Sequence, residues 1–226
     1  MILTLILSMI ALCSVVLFVQ WKHKQNELKR RILERLSNRG EKLLHAFSML
    51  TERYFLRETK LFLIEYLLSV IQRLKQAGMH TEFTYQQYNL TRLYAEISSS
   101  KYVAEKRRVS SQVEFDQTQG ALQYILKELR NLLELNYTSR VMIRHHIGLM
   151  RFTHSLAYRD LLVFQAKQDL EHERRSRAIE KYRLALAVMD KHSTIDLARK
   201  ESSRLQNMIL DVEEELLVKT KSENSD

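Results

Sequence analysis

Apolar residues recur along this chain at spacings of three and four, the mark of helices that each bury one stripe. Leu122, Ile125, Leu126, Leu129, Leu132 and Leu133 form one such stripe, and Leu205, Met208, Ile209, Val212 and Leu216 form another. Breaks between stripes are few. "SNRG" at 37–40 and "QAGMHT" around Gly78 each offer a glycine suited to a left-handed helix end. Ser111 and Glu114 have capping-box spacing, and further boundaries are expected near Asn136 and Thr138 and near Ser193 and Thr194. The predicted helices are 2–36, 41–77, 83–108, 112–135, 139–190 with a turn near Glu173, and 195–217. "LFLIEYLLSVI" at 61–71 is apolar nearly all round, but it is too short for a span and contains Glu65. It therefore reads as the central helix of a bundle.

The first element differs from the rest. Ile2 to Val19 carries no charge, and at 1.5 Å per residue it reaches roughly 27 Å, close to the thickness of a hydrocarbon core. Trp21 follows where an indole favours the interface. Lys22, Lys24, Lys29, Arg30, Arg31 and Arg35 come next, on one side of the apolar run only. The pattern predicts an uncleaved anchor from Ile2 to Val19, with Trp21, Lys22 and Lys24 at the interface, the N-terminus outside and the remainder cytoplasmic. A cleaved signal would want basic residues ahead of the run and small residues behind it, and neither is present. A lipoprotein signal at Cys13 would want a small residue where Leu12 stands. Cys13 is the one cysteine, so no disulfide forms within the chain.

Composition narrows the fold class. Four glycines and no proline in 226 residues leave almost no turn chemistry for a β fold or a nucleotide-binding α/β fold. The expectation is all-α: a single transmembrane helix followed by a cytoplasmic bundle of long helices, either irregular or of a degenerate helical-repeat kind. The corresponding division is an anchor at 1–21, a basic juxtamembrane helix at 22–40, a helical cytoplasmic domain at 41–218 and a disordered tail at 219–226. The net charge of +9 would suggest nucleic acid or an anionic surface, but residues 22–35 hold six Lys/Arg against two Glu and account for +4 of it. Topology thus explains nearly half the excess.

Two stretches invite a functional reading. In "RVMIRHHIGLMRFTH", Arg140, Arg144, Arg151 and His154 fall within about 80° of one another on a helix, opposite Val141, Met142, Leu149, Phe152 and Leu156. Such a face suits phosphates of nucleic acid or lipid, or an acidic helix. The alternative is a solvated face, or one paired with glutamates such as Glu128 and Glu134. His145 and His146 are adjacent and diverge by about 100°, so they make no metal pair. No metal-ligand spacing, phosphate loop or nucleophile motif is found, and neither a catalytic residue nor a cofactor is expected. Glu213, Glu214 and Glu215 read as a solvated acidic end.

The second stretch is "AIEKYRLAL", in which Ala178, Ile179, Tyr182, Ala185 and Leu186 place small, aromatic and small residues on one helix face. It resembles the second helix of a tetratricopeptide repeat, over about residues 159–192, with Leu162 and Ala166 at suitable positions upstream. The resemblance implies a helix pair of the kind that lines a groove for peptide segments of partner proteins. The chain departs from the family pattern at Glu173, where a glycine is usual, and in having no closing proline. Repeats of this kind bury their faces by stacking, and no second copy of the spacing is found. The competing reading is an irregular bundle in which Ala178 and Ala185 admit a close neighbour. Together these features predict a membrane-anchored scaffold or adaptor for protein partners, and its stripes suit packing within the chain and between copies of it alike. The alternative is a membrane tether that binds nucleic acid or anionic lipid through the basic face.

Overall fold

A computed structural model describes the backbone of residues 2–99, 107–134 and 140–223, and the side chains of 17–99, 107–134 and 140–217. It is all-helical, without strands among these residues. The elements are α1 (Ile2–Ser48), α2 (Arg57–Gln76), α3 (Glu82–Tyr85), α4 (Gln87–Ser98), α5 (Gln112–Glu134), α6 (Arg140–Glu171), α7 (Arg175–Asp190) and α8 (Asp196–Glu223). The boundaries expected at Asn136 and Thr138 lie outside the described residues, as do 100–106 of the helix expected at 83–108. No helix among the described residues is long and apolar enough to cross a membrane. Most of the expected anchor, including Ile2, falls where side chains are not described, so the structure gives the transmembrane expectation no support.

The expected break at 37–40 does not occur. α1 continues through Gly40 to Ser48, and the chain instead leaves the helix at Met49–Leu56, inside the stretch expected to be one helix over 41–77. The reason lies at Gly40, which is used for closeness rather than for a left-handed end: a Cβ there would stand 2.5 Å from Cε1 of the buried Phe83 ring. Gly78 does end its helix as expected. It adopts φ 73° as the Gly78 N–H donates to the Lys75 carbonyl and the Met79 N–H to that of Leu74, which is a Schellman closure.

The chain divides into two compact units, with α1 and α2 contributing to both: residues 1–42 with 64–94, and residues 43–63 with 95–226. In the first, Ile64, Leu67, Val70, Ile71 and Leu74 of α2 are buried, as are Phe83 and Leu90. "LFLIEYLLSVI" is therefore a core helix with its carboxylate turned out, and Glu65 accepts a 2.7 Å hydrogen bond from the Tyr94 hydroxyl. Ser37 and Thr81 share a 3.0 Å hydroxyl contact beside the Gly40–Phe83 approach.

In the second unit the last four helices stack in chain order, α5 on α6, α6 on α7 and α7 on α8. The start of α5 follows the predicted box by half. Ser111 Oγ accepts the Glu114 N–H at 3.1 Å, but the Glu114 carboxylate caps Ser110 instead, taking its N–H and hydroxyl at 2.8 Å each. Those bonds, the backbone one foremost, hold the Glu114 carboxyl below its usual range, and Arg107 adds to the effect. The turn foreseen near Glu173 separates α6 from α7. Glu173 takes φ 58°, its N–H donates to the Leu170 carbonyl and that of Arg174 to Asp169, so a glutamate fills a position that ordinarily favours glycine.

Candidate functional site

Of the expected basic face, Arg140, Arg144 and Arg151 are exposed on α6, and Arg144 and Arg151 enter no ion pair among the described residues. His154 follows on the same helix but is less exposed than the three arginines. It is half-buried against α5, where its carbonyl accepts a 3.2 Å bond from the Gln119 side chain, and burial pushes its imidazole below the ordinary value. The expected apolar side also needs correction. Phe152 and Leu156 are buried, whereas Val141 and Met142 are exposed, because Ile143, His146, Ile147 and Met150 set the inner face of the first turns.

His146 is a buried histidine accounted for by its neighbours. Its Nδ1 lies 3.2 Å from Thr59 Oγ1, its ring stacks on Phe62 at 4.4 Å, and burial lowers its pKa, with the adjacent His145 adding to the effect. The His145 ring stands edge-on to that of His146, with centroids 5.5 Å apart, and its Nε2 lies 3.2 Å from Glu58. No group of three metal-capable side chains converges among the described residues.

The repeat-like face of α7 is covered from within the chain. Ala178, Ile179, Tyr182 and Ala185 are buried and Leu186 is half-buried, while Leu162 and Ala166 are buried on α6. Lys181 reaches Asp169 of α6 at 2.5 Å, and Arg183 reaches Glu213 of α8 at 2.8 Å, fixing the two neighbours of α7. The acidic end of α8 is thus partly paired, since Glu215 also stands 3.6 Å from Arg175.

Sequence reasoning missed the most unusual feature of the second unit, a buried cluster of charges. Arg159 and Glu201 are 0% exposed and Asp160 is 3% exposed. Asp160 takes a two-pronged grip from Arg53, at 2.5 Å from Nε and 2.9 Å from Nη2, together with the Tyr54 hydroxyl at 2.8 Å and Arg159 Nη1 at 2.7 Å. Arg159 Nη2 stands 2.6 Å from Glu201 Oε2 without hydrogen-bond alignment, and Arg204 closes on Glu201 from the rim at 3.0 Å. Burial alone would raise the Asp160 carboxyl, but the hydrogen bonds and charge of Arg53, with Arg159 and Tyr54, hold it below its usual range. Burial and the neighbouring Asp160 push the Tyr54 hydroxyl up, so it remains a donor; it in turn accepts the Val109 N–H at 2.8 Å. Arg53, Arg159, Asp160 and Glu201 balance in charge, as burial at this depth demands. The signal was present as "YRD" inside the apolar run Leu156–Val163, where two adjacent charges interrupt a core helix.

A cleft of about 530 Å³ opens beside α5 and α6, lined by Phe115, Gln119, His154, Ser155, Tyr158 and Lys191 among others. At its edge Ser155 Oγ meets His192 Nε2 at 2.9 Å, and the His192 ring stands edge-on to Phe152. Burial, with Lys191, lowers the His192 pKa, so the imidazole is suited to hydrogen bonding in its neutral form.

These features define an all-α protein with a charge-locked core and an exposed cationic helix face. No family profile, no curated protein and no solved structure matches the chain.

Proposed function

We propose that the chain is a membrane-anchored helical scaffold that holds partner proteins at the cytoplasmic face, its N-terminus outside. One observation carries this reading: Leu17, Phe18, Val19 and Trp21 of α1 all stand exposed, immediately before the row of cations that begins at Lys22. Water is a poor surrounding for four such side chains, and a bilayer interface suits both the indole and the lysines. The uncharged run from Ile2 supplies the length of a span. Deleting residues 1–21 is expected to move the protein from the membrane fraction to the supernatant after alkaline extraction. Retention of the truncated chain on membranes would sink the single-anchor reading.

A second reading, tethering of nucleic acid or anionic lipid through α6, draws on the exposure of Arg144 and Arg151 without carboxylate partners among the described residues. It expects salt-dependent retention of RNA, DNA or phosphatidylserine vesicles that weakens when Arg140, Arg144 and Arg151 become Ala. Equal retention by that variant removes it.

A further inference from the structure

Every described residue of α1 from Leu17 to Ile32 is exposed; cover begins only with Leu33 and Leu36, which are half-buried, and with Ser37. A few helical turns without tertiary cover are marginal in water. The apolar side chains there are not scattered. Phe18, Trp21, Leu28 and Ile32, with Gln25 in the same register, follow the alternating three and four of a heptad seam, and each of the four apolar ones is more than half exposed. The positions beside the seam are cationic on both flanks: Lys22 and Lys29 on one, Lys24 and Arg31 on the other. The acids lie away from it. Glu27 and Glu34 sit on the outer face, where they pair with His23 at 3.4 Å and Arg30 at 3.0 Å.

This arrangement selects among occupants. A second copy would set lysine against lysine in either orientation, because both flanks carry the same sign. Lipid covers only the start of the seam when residues 2–19 span the bilayer. α1 is unbroken, so Leu28 and Ile32 lie about 14 and 20 Å beyond Val19, while the polar zone on each side is only about 5–8 Å deep. We propose that the seam of α1 through Gln25, Leu28 and Ile32 seats a partner helix whose own apolar stripe is flanked by Asp and Glu. The inference deepens the recruiting role proposed above, and it rests on that anchor reading for the exclusion of lipid.

The test uses the full chain in neutral detergent and a fluorescent synthetic heptad peptide with Leu at the seam positions and Glu beside them. Binding of this peptide is expected, with none of a peptide carrying Lys at the same places. The Leu28→Ser/Ile32→Ser chain should bind roughly tenfold or more weakly. Replacing Lys22, Lys24, Lys29 and Arg31 by Glu should reverse the preference to the Lys peptide. Equal binding by the Leu28→Ser/Ile32→Ser chain would reduce the effect to charge alone and overturn the proposal. So would a homodimer, seen by sedimentation, that this pair of substitutions dissociates. A third arm places a polarity-sensitive dye at Leu28→Cys, with Cys13→Ser, in the full chain reconstituted in phosphatidylserine vesicles. A water-like emission is expected, and a lipid-like one overturns the proposal. Alkaline extraction reads the anchor separately: seam-dependent peptide binding by a chain that extracts refutes the anchor alone, and an anchored chain without such binding refutes this inference alone.

Discussion

Asp160→Ala is expected to destabilise the protein by about 3–5 kcal/mol, because it leaves Arg53 and Arg159 buried with only Glu201 between them. The missing carboxylate also strands the Tyr54 hydroxyl, which holds the Val109 N–H on its other side. A contrasting variant separates charge from packing. Arg159→Met combined with Glu201→Leu removes one cation and one anion and leaves Arg53 gripping Asp160. The double variant is therefore expected to lose less stability than Arg159→Met or Glu201→Leu alone. Thermal unfolding followed by circular dichroism reads all four variants. If Asp160→Ala melts with the wild type, or if the double variant loses the sum of the two singles, the cluster is not acting as a balanced set.

Gly40→Ala is expected to destabilise, against the usual sign of a glycine-to-alanine change within a helix. Alanine gains about 1 kcal/mol in helix propensity. At this position its methyl meets a Phe83 ring that is only 1% exposed, and overpacking of that kind costs about 1–3 kcal/mol or more. Gly120→Ala in α5 and Gly148→Ala in α6 are the internal controls. An added Cβ meets nothing within 4 Å at either, and both are expected to raise stability by about 0.5–1 kcal/mol. Phe83→Leu should make Gly40→Ala more tolerable. A Gly40→Ala protein as stable as the two controls would show that the ring has room to move.

Much of this architecture was legible in the pattern of apolar spacings. The stripes of α5 and α8 were read directly, and so were Gly78 as a helix end and the turn at Glu173, since each depends on residues close together in the chain. Gly40 was misread because its role depends on Phe83, a contact between distant residues that local turn chemistry does not report. The break at Met49–Leu56 was missed for a related reason. Its residues carry no proline or glycine, and what holds them out of a helix is tertiary: Arg53 and Tyr54 bind Asp160, and Thr51 donates to the Arg107 carbonyl. Val141 and Met142 were placed on the inner side because a helical projection of a longer stretch averages over a core face that shifts along α6. The question raised by Ala178, Tyr182 and Ala185, which neighbour they admit, is answered within the chain by α6 and α8. The cluster at Asp160 could be noticed only as an anomaly, because its partners come from three separated segments.

That separation has a consequence for how the second unit is made. Arg53 lies before α2, Asp160 in the middle of α6 and Glu201 in α8, so within the segment at 49–56 Glu52 pairs nearby with Lys60, whereas Arg53 takes both of its carboxylates from far along the chain. During synthesis Arg53 has neither carboxylate until residue 160, and then residue 201, has emerged. Docking of this segment is thus a late event, and the Val109 amide, whose acceptor is the Tyr54 hydroxyl, becomes its reporter: in a pulse of deuterium during refolding it should gain protection only after α5 to α8 have closed.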